Sequence, residues 1–119
     1  MTDSTKVFVL LATYNGAEFL SDQIRSIQGQ TVSNWTLLAR DDGSEDNTRD
    51  VLKKFAAKDK RIRCIDDTCE CLGAVRNFGE LMRIAFEEGA DYVFFSDQDD
   101  VWASNKIADQ LKYLTEMEL

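Results

Sequence analysis

The stretch Tyr92 to Trp102, YVFFSDQDDVW, constrains this chain more than any other, because an apolar run passes directly into three carboxylates. Tyr92, Val93, Phe94 and Phe95 are aromatic or β-branched and follow a Gly89–Ala90–Asp91 turn, which predicts a strand buried on both faces. Strands of that kind belong to parallel sheets, whose two faces are covered by helices. Asp97, Asp99 and Asp100 then stand just past the carboxyl end of a core strand, where open α/β sheets bind ligands. Acids this crowded repel one another unless a cation joins them, and a hard divalent ion with oxygen ligands, Mn²⁺ or Mg²⁺, suits the group. The plainer alternative is that one Asp caps the following helix and the others are solvated turn residues; the cost of like charges side by side weighs against it.

The rest of the chain repeats the pattern. Lys6 to Ala12, KVFVLLA, is a second near-continuous apolar run and predicts another central strand, ending in Thr13, Tyr14, Asn15 and Gly16. Asn15 is expected as a helix N-cap with Glu18 in the capping-box position, and Phe19, Leu20, Ile24 and Ile27 recur at helical spacing up to Gly29. A third run, Trp35 to Ala39, passes into Arg40, Asp41, Asp42, Gly43 and Ser44. Asp46 or Asn47 can cap a helix whose inner face is Val51, Leu52 and Phe55. Arg61 to Ile65 alternates charged and apolar residues, as a short strand nearer the sheet edge does. After Gly73 a helix is expected to bury Val75, Phe78, Met82 and Ala85, leaving Arg76 and Asn77 in its first turn near the ligand edge. A last helix, from about Ser104, shows Ile107, Leu111 and Leu114. The order βαβαβαβα predicts an α/β fold with a mostly parallel sheet of about four strands and helices on both faces.

Composition narrows the chemistry. The 119 residues suit one domain, and 14 Lys and Arg against 22 Asp and Glu give a formal net charge of −8, which disfavours nucleic acid and anionic lipid as partners. No apolar run approaches the ~20 residues of a membrane span, and the polar segment Met1 to Lys6 has no signal-peptide core. The expectation is a cytoplasmic protein, with the inner face of the membrane left open for a full-length form. Cys64, Cys69 and Cys71 are an odd number of close cysteines, read as reduced thiols in a strand end and a loop. The absence of His removes Ser-His-Asp and Cys-His nucleophilic chemistry and Cys/His zinc sites.

Three strand ends therefore supply Thr13–Tyr14–Asn15, Asp41–Asp42–Gly43–Ser44 and Asp97–Gln98–Asp99 along one edge. An aromatic ring can stack on a base, a carboxylate can accept a base N–H, and paired acids can hold a metal against a diphosphate. Neither G-x-G-x-x-G nor G-x-x-x-x-G-K-[ST] occurs, so metal takes the place of phosphate-cradling glycines. A phosphoacceptor receiver domain, the rival acidic α/β class, wants its acid pair after the first strand, where this chain has Thr13, Tyr14 and Asn15. A nucleotide-sugar-binding module without catalysis remains a second alternative.

ATYNG at Ala12 to Gly16, RDDGSEDNT at Arg40 to Thr48, LGAVRN at Leu72 to Asn77 and SDQDDVW at Ser96 to Trp102 together resemble family 2 glycosyltransferases, from Val7 to about Lys112. The SDQDDVW form is similar to that of bacterial enzymes building rhamnose-containing and other surface polysaccharides. The resemblance implies a Rossmann-like GT-A half domain and a nucleotide-diphosphate sugar donor linked to UDP, dTDP or GDP. It implies a glycan or lipid-linked acceptor, and Mn²⁺ or Mg²⁺ on the diphosphate. By position, it places Ala12 among the nucleotide-binding residues, Tyr14 against the face of the base, Asp42 (or less readily Asp41) at the base N–H, and Arg76 at the base or phosphates. Asp97 falls by the ribose and beside the metal, and Asp99 is the metal ligand with Asp100 next to it. Residues 1–119 are then the donor-binding part of a truncated domain, and the general base, a carboxylate of the missing acceptor half, is not among them. On this reading Asp42→Ala weakens nucleotide binding without unfolding the chain. The Thr68–Cys69–Glu70–Cys71 loop departs from the family pattern.

Overall fold

Side chains of a strand alternate between faces, and in β1 (Val7–Thr13) both faces are buried: every residue except the half-buried Ala12 is out of water. The structure is a computed structural model and describes residues 4–66, 71–97 and 100–117. Within them the elements follow as α1 (Ala17–Gln28), β2 (Trp35–Asp41), α2 (Thr48–Lys58), β3 (Ile62–Cys64), α3 (Ala74–Glu87), β4 (Tyr92–Asp97) and α4 (Lys106–Met117). The strands form one sheet in the order β3-β2-β1-β4, and each pairing is parallel.

Val7, Val9 and Leu11 point to one face, where they pack with Leu20, Ile24 and Ile27 of α1, Leu52 of α2 and Ile107 and Leu111 of α4. Phe8 and Leu10 point to the other, against Leu81 and Ala85 of α3. The chain moves outward from β1 through β2 to β3, then returns across the sheet to β4. With crossovers of one hand, that reversal puts α3 on the face opposite α1 and α2. The register levels the strand ends: Thr13 lies beside Asp41, and Ala12 lies beside Asp97. A crevice opens where neighbouring connections leave in opposite directions, which here is the carboxyl end of β1.

Several expectations need correction. β4 is an edge strand of the described sheet rather than one buried on both faces: Phe94 and Ser96 are buried, whereas Phe95 is 51% exposed. Asn15 is not the N-cap of α1, since that place belongs to Gly16. Asn15 is in the left-handed region at φ 50°, which a short polar side chain tolerates better than most. The first turn of α1 is capped from another segment, with the Gly16 N–H donating to Thr48 Oγ1 and the Ala17 N–H to Asp46 Oδ2. In α1 the buried stripe contains Gln23 with Leu20, Ile24 and Ile27, and Phe19 is exposed. In α3 the inward residues are Asn77, Leu81 and Ala85, while Val75 is 86% exposed and Met82 45% exposed. The helix has turned so that an amide faces the sheet.

Candidate functional site

At the end of β1 the chain enters Tyr14 and Asn15, and the left-handed Asn15 stitches two strand ends together. Its N–H donates to Ser44 Oγ at 2.7 Å, and its Oδ1 accepts from the Glu45 N–H at 2.8 Å. Asp41 fixes the same turn from inside: Oδ1 accepts from Thr13 Oγ1 and Ser44 Oγ, and Oδ2 from the Ser44 N–H and Arg49 Nε. Burial pushes the Asp41 carboxyl up, but the Ser44, Thr13 and Arg49 donors outweigh it and hold it below its ordinary value. Asp41 is thus a turn residue with its oxygens committed.

Asp42, next along, faces the opposite way. Oδ1 accepts from the Leu72 N–H at 2.7 Å and Arg40 Nη1 at 3.0 Å, and Oδ2 accepts from the Gly73 N–H at 2.9 Å. Burial raises this carboxyl too, and the two backbone N–H groups with the Arg40 guanidinium bring it below the usual range. Arg40 is itself 1% exposed. Its Nη1 also donates to Asn77 Oδ1 at 3.0 Å, and Asn77 Nδ2 returns a bond to the Arg40 carbonyl at 3.1 Å. A buried guanidinium, a carboxylate and an amide therefore lock β2 to the start of α3. Gly43 completes the clasp at φ 87°, where a Cβ would stand 2.8 Å from Cys71 Sγ, and that thiol donates to the Asp42 carbonyl.

These elements enclose a cavity of about 500 Å³ lined by Ala12, Thr13, Tyr14, Asp42, Cys71, Gly73, Ala74, Asn77, Phe78 and Asp97. The expected residues Ala12, Tyr14, Asp42 and Asp97 thus meet at one cavity. Tyr14 presents its ring at the wall, half exposed. The amino end of α3, at Ala74, opens onto the cavity, and a helix amino terminus favours anions. Arg76 is exposed in the first turn of that helix and is not among the lining residues. Asp99 lies outside the described residues, as do Cys69 and Glu70.

Beyond β4 the Asp100 N–H donates to the Asp97 carbonyl at 3.0 Å, and Trp102 Nε1 donates to Asp100 Oδ2 at 3.2 Å. Among the described residues no group of three or more His, Cys, Asp or Glu could by itself hold a metal ion. The carboxylate oxygens of Asp97 and Asp100 are hard donors that suit a hard divalent cation, and His is absent from the chain. Cys64 is not among the cavity's lining residues, and burial pushes its thiol up.

Sequence reasoning passed over Arg40 and the roles of Leu72, Gly73 and Asn77. Arg40 left one signal, a lone cation inside the buried run WTLLARD, since a charge in such a strand requires partners. That Asp42 is held by main-chain N–H groups has no signature in side-chain identity.

A family model described as "Glycosyl transferase family 2" matches residues 8–118. The dTDP-rhamnosyl transferase RfbG of Shigella flexneri is 33% identical over 105 residues, covering 87% of this chain and 36% of that protein. The UDP-Glc:alpha-D-GlcNAc-diphosphoundecaprenol beta-1,3-glucosyltransferase WfaP of Escherichia coli is 32% identical over 108 residues, covering 91% of this chain and 41% of that protein. The chain thus spans less than half the length of these curated relatives. Among solved structures, the mannosyltransferase PcManGT from Pyrobaculum calidifontis, in complex with GDP-Man and Mn²⁺, shares the fold. It superimposes with a TM-score of 0.80 at 22% identity, over 94% of this chain and 33% of that one.

Proposed function

The chain belongs to glycosyl transferase family 2, and on that premise we propose that it is the donor-binding part of an enzyme that moves a sugar from a nucleotide diphosphate to a glycan or lipid-linked acceptor in cell-surface polysaccharide synthesis. The observation that carries this reading is the convergence of Tyr14, Asp42 and Asp97, from three separate strand ends, on one cavity of nucleotide size. In it the Tyr14 ring stacks on the base. Asp42 Oδ2 accepts a single donor among the described residues, the Gly73 N–H, and so retains a lone pair for a base N–H. Asp97 takes the ribose. The diphosphate turns toward the amino end of α3, where the exposed Arg76 meets it. Asp97, Asp99 and Asp100 are the residues we assign to a divalent cation, Mn²⁺ or Mg²⁺. When bound, such an ion neutralises the charge that builds on the departing diphosphate.

The relatives are more than twice as long as the part matched here, and we assign the acceptor site and the general base to residues this chain does not contain. By itself the chain binds donor and does not transfer sugar. No helix among the described residues is long and apolar enough to cross a membrane.

Calorimetric titration with UDP, dTDP and GDP, each with and without Mn²⁺, tests the reading. The expected result is binding of at least one nucleotide that requires Mn²⁺ and is lost in Asp99→Ala. Metal-independent binding unchanged in that variant would remove the cation from the proposal. A folded wild-type chain that binds none of the three would remove the donor site from it.

A further inference from the structure

Helix α1 carries two polar residues three apart, Gln23 and Ser26, on one face, and Gln30 follows just past its end at Gly29. Gln23 is 0% exposed and Gln30 6% exposed, so both amides have been taken out of water. Such burial costs free energy unless hydrogen bonds replace the lost solvent. Each of the three makes at least one bond to the stretch from Ser96 to Ile107, although Gln30 Nε2 also donates to the Ser26 carbonyl at 3.1 Å and Gln23 Oε1 is buried without a hydrogen-bond partner among the described residues. Gln23 Nε2 donates to Ser96 Oγ and to the Asp97 carbonyl. Ser26 Oγ donates to the Gln23 carbonyl at 2.6 Å and accepts from the Trp102 N–H at 3.0 Å. Gln30 Nε2 donates to the Ala103 carbonyl at 2.7 Å, and its Oε1 accepts from the Ile107 N–H at 3.0 Å.

The row therefore grips the segment on both sides of its acids. On the near side, the Asp97 carbonyl held by Gln23 is also the acceptor of the Asp100 N–H. On the far side, the Trp102 main chain is held by Ser26 while its indole N–H holds the Asp100 carboxylate. Trp102 is 5% exposed and packs edge-on against Phe94 with ring centres 6.3 Å apart, so its own position is fixed. Apolar residues at 23, 26 and 30 would have served the core without any of these costs. The amide and hydroxyl groups are thus explained by what they hold.

We propose that Gln23, Ser26 and Gln30 are positioning residues that set where the Asp97 and Asp100 carboxylates stand relative to the cavity; their value for diphosphate binding rests on the donor-site reading above. They touch no ligand. They act through the backbone of Asp97 and through Trp102.

The test begins without any ligand. Amide hydrogen exchange is followed by NMR in the wild-type chain, Gln23→Met, Ser26→Ala and Ser26→Thr. Exchange at Asp100 and Trp102 is expected to quicken at least tenfold in Gln23→Met and Ser26→Ala, with Val9 and Leu11 unaltered, and Ser26→Thr is expected to restore it. Unchanged exchange at Asp100 and Trp102 in Ser26→Ala overturns the proposal, whether or not Gln23→Met folds. Each folded variant is then titrated with uridine and with UDP plus Mn²⁺. The expected result is at least a tenfold loss for UDP with Mn²⁺ and no change for uridine. Equal losses for both would mark a general loosening of the fold and overturn the positioning role. Failure of the wild-type chain to bind UDP with Mn²⁺ falls on the donor-site reading alone, because the exchange measurement has already judged the row.

Discussion

Arg40 is a guanidinium that folding has carried almost wholly out of water, at 1% exposure. Asp42 and Asn77, both accepting from Arg40 Nη1 at 3.0 Å, help to offset the desolvation. Asp42→Ala removes the counter-charge and leaves the Leu72 and Gly73 N–H groups without their acceptor. Its expected cost is about 3–5 kcal/mol, read as a lower urea midpoint, so the substitution loses stability as well as nucleotide affinity, whereas the sequence pointed to affinity alone. Asp42→Asn keeps an oxygen for one donor and is expected to cost less. Gly43 is a second such point. At φ 87° a side chain is strained, and a Cβ also meets Cys71 Sγ. Gly43→Ala is expected to cost about 1–2 kcal/mol in the same denaturation experiment, with the cavity wall at Cys71 displaced.

The elements show how far periodicity reaches. The apolar runs at Val7, Trp35 and Tyr92 announced their strands because few other structures bury so many consecutive side chains. The ends of those strands offered Thr13–Tyr14–Asn15, Asp41–Asp42–Gly43–Ser44 and Asp97–Gln98–Asp99, and the family resemblance singled out Tyr14, Asp42 and Asp97 among them. Which side of α3 faces inward could not be read in the same way. Val75, Phe78, Met82 and Ala85 offered one apolar stripe; the helix keeps Phe78 and Ala85 at the core but brings in Leu81 and Asn77 in place of Val75 and Met82, and the Asn77 amide meets Arg40 on another strand. The same limit hid the capping of α1, whose first N–H groups go to Thr48 and Asp46 beyond β2. The junction between α2 and β3 carries its own prediction. Asp59 receives Arg61 through both its carboxylate oxygens, together with Gln28 Nε2. The Arg61 bonds are the largest influence on it, bringing its pKa down to about 2. A carboxyl with a lowered folded pKa stabilises the fold fully above its unfolded value and ceases to do so as the pH falls through the folded one. Thermal stability is therefore expected to decline between pH 4 and 2, and Asp59→Asn, melted over that range, is expected to decline less steeply than wild type.

Across the whole molecule, the order β3-β2-β1-β4 decides where anything can bind. Helical and strand patterns established the α/β class, but the position of β4 at the sheet edge depends on pairing partners that no local pattern encodes. The cavity at the crevice is assembled from the ends of β1, β2 and β4 and the start of α3, segments brought together from across the chain. An unfolded chain scatters those segments, so it offers a nucleotide nothing to hold. Any ligand of this cavity is consequently also a ligand of the native state alone, and mass action converts its occupancy into resistance to heat. At a hundred times its dissociation constant it adds about 2.7 kcal/mol to the unfolding free energy. A melting curve of the chain with each nucleotide and Mn²⁺ thus ranks donors before any acceptor is known, and the preferred base is expected to raise the midpoint by several degrees.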